Sequence, residues 1–334
     1  MTVEGNHGAG RRVVVTRSLP EGPSSRLGGH VVARVWREPG PPPETWLHEA
    51  CIGAAGLLAT PADRVGEDLI VACPTVRVVS NLAVGTDNVD VVALTRRGVP
   101  LGHTPGVLTA ATADLAFALV LASSRRILEA RDAVADGRWT TWDPGFMLGL
   151  ELAGATLGIL GAGRIGTAVA RRALAFDMRV QAWSRSGRRP EGPGVSGVEM
   201  VDIETLLRTS DVVSVHVALG PSTVHLVGAE QLAMMKPTAV LVNTARGAVV
   251  DQRALLDALV SGRIAAAGLD VVEREPIDPG DPLVHLPNCI VLPHIGSATV
   301  ATRTAMAELA VDNLLAGLAG ERLPACANPE VYGP

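Results

Sequence analysis

The sequence predicts an α/β protein made of two doubly wound parallel sheets. Three observations predict it. The 334 residues exceed what one compact core usually carries, so two domains are expected. Over the first hundred residues, short β-branched runs alternate with helix-compatible segments, the pattern of parallel βαβ units. A second series of the same kind starts near residue 155, where a strand-like run leads into a glycine loop. With 47% apolar and 19% charged residues, the chain can bury cores of that size.

In chain order, RRVVVT (11–16) is the first expected strand, and the Gly/Pro/Ser segment after it reads as a turn. Strands are expected at VVARVW (31–36), GLLAT (56–60) and VRVVS (76–80), with helices at PETWLHEA (43–50) and NVDVVALTRRG (88–98). Residues 109–136 hold strong helix formers with neither proline nor glycine before Gly137, which predicts one long helix. A Trp/Pro/Gly loop (139–149) separates it from the second series. There, strands are expected at 155–160, 178–183, 211–217, 239–243, 265–270 and 289–293, with a helix at 164–176. A closing helix over 298–319 carries Met306, Leu309, Leu314 and Leu318 at helical spacing.

Composition excludes several functions. The net charge of −5 argues against a broad footprint on nucleic acid or anionic lipid. The apolar stretch 152–163 is too short and too glycine-rich to span a bilayer. MTVEGNHGAG (1–10) lacks the basic and apolar regions of a secretory signal, so a cytoplasmic protein is expected. Cys51, Cys73, Cys289 and Cys326 lie far apart with no CxxC pair, which suggests neither a disulfide framework nor a metal site.

TLGILGAGRIG (156–166) is a buried-strand pattern running into Gly161-x-Gly163-x-x-Gly166 and then a helix. The first glycine allows a tight turn, the second lets backbone approach a pyrophosphate, and the third lets helix and strand pack closely. The group that meets the adenosine ribose is expected about twenty residues on, after the next strand. Arg185 stands there in place of an acid, flanked by Ser184, Ser186, Arg188 and Arg189. Guanidinium and hydroxyl groups suit a 2′-phosphate, so NADPH is expected, with NADH possible.

Three polar residues follow strands of this second series. Arg246 ends AVLVNTAR, Glu275 closes GLDVVERE, and His294 ends CIVLPH. Ligands of open α/β sheets bind beyond the carboxyl ends of the strands, where the three would converge. Reduction of a 2-oxo acid needs such a set. A proton must reach the carbonyl oxygen, and an imidazole with a pKa of about 6.5 can deliver it. A carboxylate on the far ring nitrogen favours the imidazolium. A permanent guanidinium holds the substrate carboxylate and polarises the carbonyl. Taken singly, each has an ordinary structural reading; together, after a phosphate loop, they read as a site.

With these residues in place, the chain resembles the D-isomer-specific 2-hydroxyacid dehydrogenase family, and within it glyoxylate/hydroxypyruvate reductases. The resemblance runs from Arg11 to Pro324 through NLAVGTDNVD (81–90), HTPGVLTAATADLAFALVLA (103–122), GILGAGRIGTAVA (158–170), LVNTARGAVVD (241–251), AAAGLDVVEREP (265–276) and LPHIGSAT (292–299). It implies catalytic roles for Arg246, Glu275 and His294. It also implies substrate carboxylate binding by the amides of Val84 and Gly85, and pyrophosphate binding by those of Arg164 and Ile165. Thr112, Thr244, Asp270, Gly296 and Ser297 match positions lining the cofactor. Trp142 matches a tryptophan that reaches into a neighbouring subunit's active site, and a homodimer through the cofactor domain is implied.

The resemblance further implies two Rossmann/flavodoxin-like domains with a cleft between them. The substrate domain would be discontinuous, 1–106 with 299–334, and the cofactor domain would span 107–298. His103 departs from the Asn of many relatives, and Val217-Ala218 from their Cys/Leu-Pro. With only 3% aromatic residues, a small acid such as glyoxylate or hydroxypyruvate is expected over a bulky one. Phosphoglycerate or phosphite oxidation on the same fold, or a dinucleotide-sensing corepressor-like scaffold, are the alternative readings.

Overall fold

Val13, Val14 and Val15 are buried on both faces, as a central parallel strand requires. The computed structural model describes residues 11–333; the N-terminal decapeptide, with the export reading that rests on it, and Pro334 lie outside them. Two compact units result: residues 11–108 with 299–333, and residues 109–298.

In the first unit the elements are β1 (Arg12–Val15), α1 (Glu21–Gly28), β2 (Val32–Val35), α2 (Glu44–Cys51), β3 (Gly56–Ala59), α3 (Glu67–Ala72), β4 (Val78–Asn81), α4 (Val91–Arg96) and β5 (Leu101–Gly102). The sheet is parallel in the order β2-β1-β3-β4-β5, with Val14 opposite Leu57 and Leu57 opposite Val79. Sequence reading expected a turn where α1 lies. Pro20 precedes that helix and Pro23 falls in its first turn, where no intrahelical N–H is needed, and Leu27 is buried.

The helix Val300–Ala319 belongs to this unit. Its Ala310, Val311, Leu314 and Leu318 pack with Val13, Val15, Leu58 and Val78. Asn313 on the same helix is fully buried. Its Nδ2 donates to the His103 carbonyl at 3.0 Å and its Oδ1 accepts the Ala325 N–H at 2.9 Å.

The second unit runs through α5 (Thr109–Ser124), α6 (Ile127–Ala135), β6 (Thr156–Leu160), α7 (Arg164–Ala175), β7 (Arg179–Trp183), β8 (Val198–Met200), α8 (Ile203–Thr209), β9 (Val212–Val215), α9 (Ala229–Met234), β10 (Val240–Asn243), α10 (Gln252–Val260), β11 (Ala266–Leu269), α11 (Pro282–His285) and β12 (Cys289–Val291). All seven strands are parallel, ordered β12-β11-β10-β9-β6-β7-β8. The order reverses between β6 and β9, so the loops after these strands diverge and leave a crevice at their carboxyl ends.

The single helix expected over 109–136 is two. Helix α5 stops at Ser124, whose carbonyl accepts the N–H of Leu150 at 2.8 Å, and Arg126 turns left-handed at φ 53°. Gly149 permits this approach, because a Cβ there would sit 2.4 Å from the same carbonyl. The Arg126 guanidinium then grips Glu129 through two bonds of 2.9 and 2.6 Å. Local propensity yields to a tertiary hydrogen bond.

Removing the buried amide of Asn313 leaves the His103 carbonyl and the Ala325 N–H unpaired. Asn313→Ala should therefore cost about 2–4 kcal/mol in urea unfolding. A loss under about 1 kcal/mol would mean that the helix is held by apolar packing alone.

Candidate active site

Strand β6 is buried along its length and ends in the glycine loop. Gly161 has φ 111°, a region closed to ordinary side chains, and a Cβ there would lie 2.6 Å from the backbone of His216. A Cβ on Gly166 would be 2.1 Å from the Gly161 carbonyl, whereas one on Gly163 would meet nothing within 4 Å. The loop is thus closed on the protein side and open at Gly163. No side chain caps α7, so the first-turn amides of Arg164, Ile165 and Gly166 remain available beside that opening. Clearance, amides and helix dipole are what a pyrophosphate requires, and these residues fit a dinucleotide.

At the carboxyl end of β7 no acid appears. Ser184 Oγ donates to the Arg188 carbonyl at 2.7 Å, closing a turn in which Arg185, Ser186, Arg188 and Arg189 are exposed. The Arg185 guanidinium donates to Ser222 Oγ. Ser222 escaped the sequence reading, having no motif to mark it. The bond joins the loop after β7 to the loop after β9, across the end of β6, which lies between those two strands. Asp202 caps α8 and, with Ser184, Arg189, Met200 and Thr205, lines a surface cavity beside this turn.

The ends of β10, β11 and β12 carry the remaining candidates. Asp270 follows β11, is almost wholly buried, and gathers three successive amides. Its carbonyl accepts the N–H of His294 at 2.9 Å, and its two carboxylate oxygens accept those of Ile295 and Gly296 at 2.7 Å each. Burial pushes its carboxyl above the usual range, while those amides and His294 pull it back down.

His294 is held with φ 54°, a conformation costing about 1–3 kcal/mol for a non-glycine residue. Hydrogen bonds to a charged group contribute about 1.5–3 kcal/mol each, so the pair on the Asp270 carboxylate offsets that strain. In this pose His294 Nδ1 meets Glu275 Oε2 at 2.7 Å, with both side chains more than a third exposed and reachable by a ligand.

Two further features place Glu275. A Cβ on Gly247 would lie 1.9 Å from the Val272 carbonyl, so the turn after Arg246 abuts the loop leading to Glu275, backbone against backbone. Gln252 then clips that loop at two points: Oε1 accepts the Glu273 N–H at 3.1 Å and Nε2 donates to Asp281 at 3.0 Å. Glu273 in turn accepts the Gln252 N–H at 3.0 Å and faces His225 Nε2 at 2.9 Å. Sequence reading missed Gln252 and His225, since neither stands at a strand end.

The Arg246 backbone is fixed by Asn243, whose Nδ2 donates to its carbonyl at 2.9 Å. Nearby, Thr244 Oγ1 is buried with no hydrogen-bond partner among the described residues. A Cβ on Gly296 would lie 3.4 Å from Thr112 and 3.1 Å from Asp270. Ser297 follows, half-buried. The structure therefore brings Thr112, Thr244, Arg246, Asp270, Glu275, His294, Gly296 and Ser297 to one end of one sheet. Val84 and Gly85 lie in the other unit, in the loop after β4, and Trp142 follows α6 with 81% of its surface exposed. Among the described residues no cluster of potential metal ligands occurs, and no helix is long and apolar enough to cross a membrane.

His216, behind the glycine loop, places Nε2 2.8 Å from Ser214 Oγ, and burial lowers its pKa to about 4. A ring that resists protonation when folded accepts it readily at 6.5 when unfolded. Its contribution to stability should therefore be intact above pH 6.5 and lost as pH falls toward about 4. Urea titrations from about pH 7 to 4 should show the wild type losing more stability than His216→Asn, and parallel losses would contradict this.

A family model described as D-isomer specific 2-hydroxyacid dehydrogenase, NAD binding domain, matches residues 117–296. The chain is 47% identical over 321 residues to a glyoxylate reductase of Korarchaeum cryptofilum, covering 96% of each. It superposes on a protein of Thermus thermophilus with a TM-score of 0.88 at 45% identity, covering 95% of this chain and 99% of that one. It also superposes on an NADPH-dependent glyoxylate/hydroxypyruvate reductase of Sinorhizobium meliloti, solved with NADP and malonate. There the TM-score is 0.83 at 32% identity, covering 96% of this chain and 98% of that one. The dinucleotide-shaped glycine loop, the imidazole–carboxylate pair at the same sheet edge and these likenesses lead to one conclusion: the chain belongs to the D-isomer specific 2-hydroxyacid dehydrogenase family, oxidoreductases that use a nicotinamide dinucleotide.

Proposed function

We propose that the chain is an NADPH-preferring reductase that converts glyoxylate to glycolate and hydroxypyruvate to D-glycerate. The observation that carries this reading is the 2.7 Å pairing of His294 Nδ1 with Glu275 Oε2 at the carboxyl edge of the dinucleotide-binding sheet. The reduced nicotinamide, when bound, supplies the hydride for the C2 carbonyl carbon. Charge then gathers on the carbonyl oxygen and calls for a proton. A carboxylate accepts only, so Nδ1 carries the proton toward Glu275 and Nε2 is the nitrogen that faces substrate. Glu275 favours the imidazolium and fixes the ring plane. Arg246 holds the substrate carboxylate and polarises the carbonyl, and the Val84 and Gly85 amides supply further donors to that carboxylate. Thr112, Thr244, Asp270, Gly296 and Ser297 line the cofactor.

The preference for NADPH is supported by the basic, hydroxyl-bearing turn 184–189 and by the lack of an acid where a ribose 2′-hydroxyl would be read. The relative from Sinorhizobium meliloti, named as NADPH-dependent, carries the same implication. A homodimer through the cofactor domain is supported by exposed apolar side chains on α6 and the loop after it, Ile127, Val134, Trp139, Trp142 and Leu148 among them. A cytoplasmic setting is supported by four free cysteines.

A spectrophotometric panel tests the reading. NADPH and NADH are each offered with glyoxylate, hydroxypyruvate, 2-oxo acids with bulky side chains, and, in the oxidising direction, phosphoglycerate and phosphite. Turnover of the first two with NADPH favoured is expected; turnover confined to other acids would overturn it. His294→Ala should lower kcat about 10²–10⁴-fold. Its NADPH dissociation constant, measured by fluorescence titration, should stay near the wild-type value, and an equal loss of both would mark His294 as structural.

A further inference from the structure

The loop that carries Val84 and Gly85 is clamped from behind. Among the described residues, neither amide N–H has a hydrogen-bond acceptor. The carbonyls at the back of the same two peptide units are both engaged. Ala83 O accepts the N–H of Thr104 at 2.7 Å, and Val84 O faces His103 Nδ1 at 3.1 Å. Two consecutive residues following β5 thus grip the rear of two consecutive peptides whose fronts are open donors. A carbonyl can only accept, so Nδ1 is the protonated nitrogen of His103. Hydrogen bonds polarise one another through a shared amide, and a donor on the Val84 carbonyl makes the Gly85 N–H a stronger donor in turn.

His103 is itself well held. Its N–H donates to Ala325 at 3.1 Å, and its carbonyl accepts from buried Asn313 at 3.0 Å. The far side of the loop is fixed by Asn81, which donates from Nδ2 to the Gly85 carbonyl at 3.0 Å and to Asn88 at the same distance. Asn88 reaches onward to the carbonyls of Thr60 and Asp63 at 3.0 and 2.9 Å.

We propose that His103 is a positioning residue for the substrate carboxylate: its ring N–H holds and polarises the Val84–Gly85 peptide so that the Gly85 amide is aimed and strengthened as a donor. This rests on the reading of Val84 and Gly85 as carboxylate donors. His103 touches the peptide and not the reacting atoms, so its effect falls on recognition of the acid rather than on proton delivery.

The test combines kinetics with one selective label. His103→Leu should raise the KM for glyoxylate about tenfold, far more than it lowers kcat, while the KM for NADPH stays near the wild-type value. His103→Gln, which keeps an N–H donor, should restore most of the loss. A histidine that only stabilised the fold would depress kcat and raise both KM values together and gain nothing from glutamine.

Labelling valine with ¹³C at the carbonyl and glycine with ¹⁵N leaves three observable Val–Gly pairs, at 65–66, 84–85 and 227–228. In the NADP-bound protein, oxalate should shift the Gly85 signal, and by less in His103→Leu. No shift in the wild type overturns the carboxylate-donor reading and this proposal with it. An equal shift in both proteins, an unchanged KM in His103→Leu, or failure of glutamine to restore function in a folded protein overturns the role of His103 and leaves the donor reading standing.

Discussion

A buried carboxylate must find donors, and that of Asp270 finds them in the amides of Ile295 and Gly296 beyond β12, while its own carbonyl takes the His294 N–H. That requirement shapes the site. The chain at 294–296 can supply three N–H groups to one residue only by turning tightly, and the turn drives His294 into a left-handed conformation. In that conformation its imidazole leaves the sheet and meets Glu275. Asp270, which bonds neither side chain of the His294–Glu275 pair, therefore sets the turn that brings the two together. Its position at the end of β11, between β10 and β12, lets it reach the next loop without a long connection.

Close backbone approaches do the same work on a wider scale. Gly161 lets the phosphate loop lie against the chain leaving β9, and Gly247 lets the turn after Arg246 lie against the loop carrying Glu275. A single methyl group at either place would demand movement of main chain, not of a flexible side chain. The parallel sheet brings successive loops to one edge; the glycines bring them within reach of one another. The first unit reaches the same end by other means. There the loop of Val84 and Gly85 is held by a side-chain amide and an imidazole on backbone carbonyls.

Much of this was legible in the residues. A buried strand running into Gly161-x-Gly163-x-x-Gly166 has few other uses, and Arg246, Glu275 and His294 each stand just beyond a strand-like run. What was not legible depended on contacts between distant segments. Propensity over 109–136 favours unbroken helix, and only the Leu150 N–H on the Ser124 carbonyl ends it. The segment holding Pro20 and Pro23 looks like a turn until Leu27 has a core to enter. Short pieces such as β5, β8 and α11 are below the length at which apolar periodicity can be read. Ser222 and Gln252 owe their places to strand order and loop packing, which leave no mark on neighbouring residues. His103 stood out in sequence as a departure from many relatives, but its bond to the Val84 carbonyl is a property of the folded loop.

The dependence of the His294–Glu275 pair on Asp270 is open to direct measurement in a crystal structure of Asp270→Asn. Asparagine keeps the shape and one accepting oxygen but turns an amide toward one of the two N–H groups, so the turn at 294–296 should relax. His294 Nδ1 and Glu275 Oε2 should then separate beyond hydrogen-bonding distance. A variant in which that turn and the 2.7 Å contact persist unchanged would contradict the account.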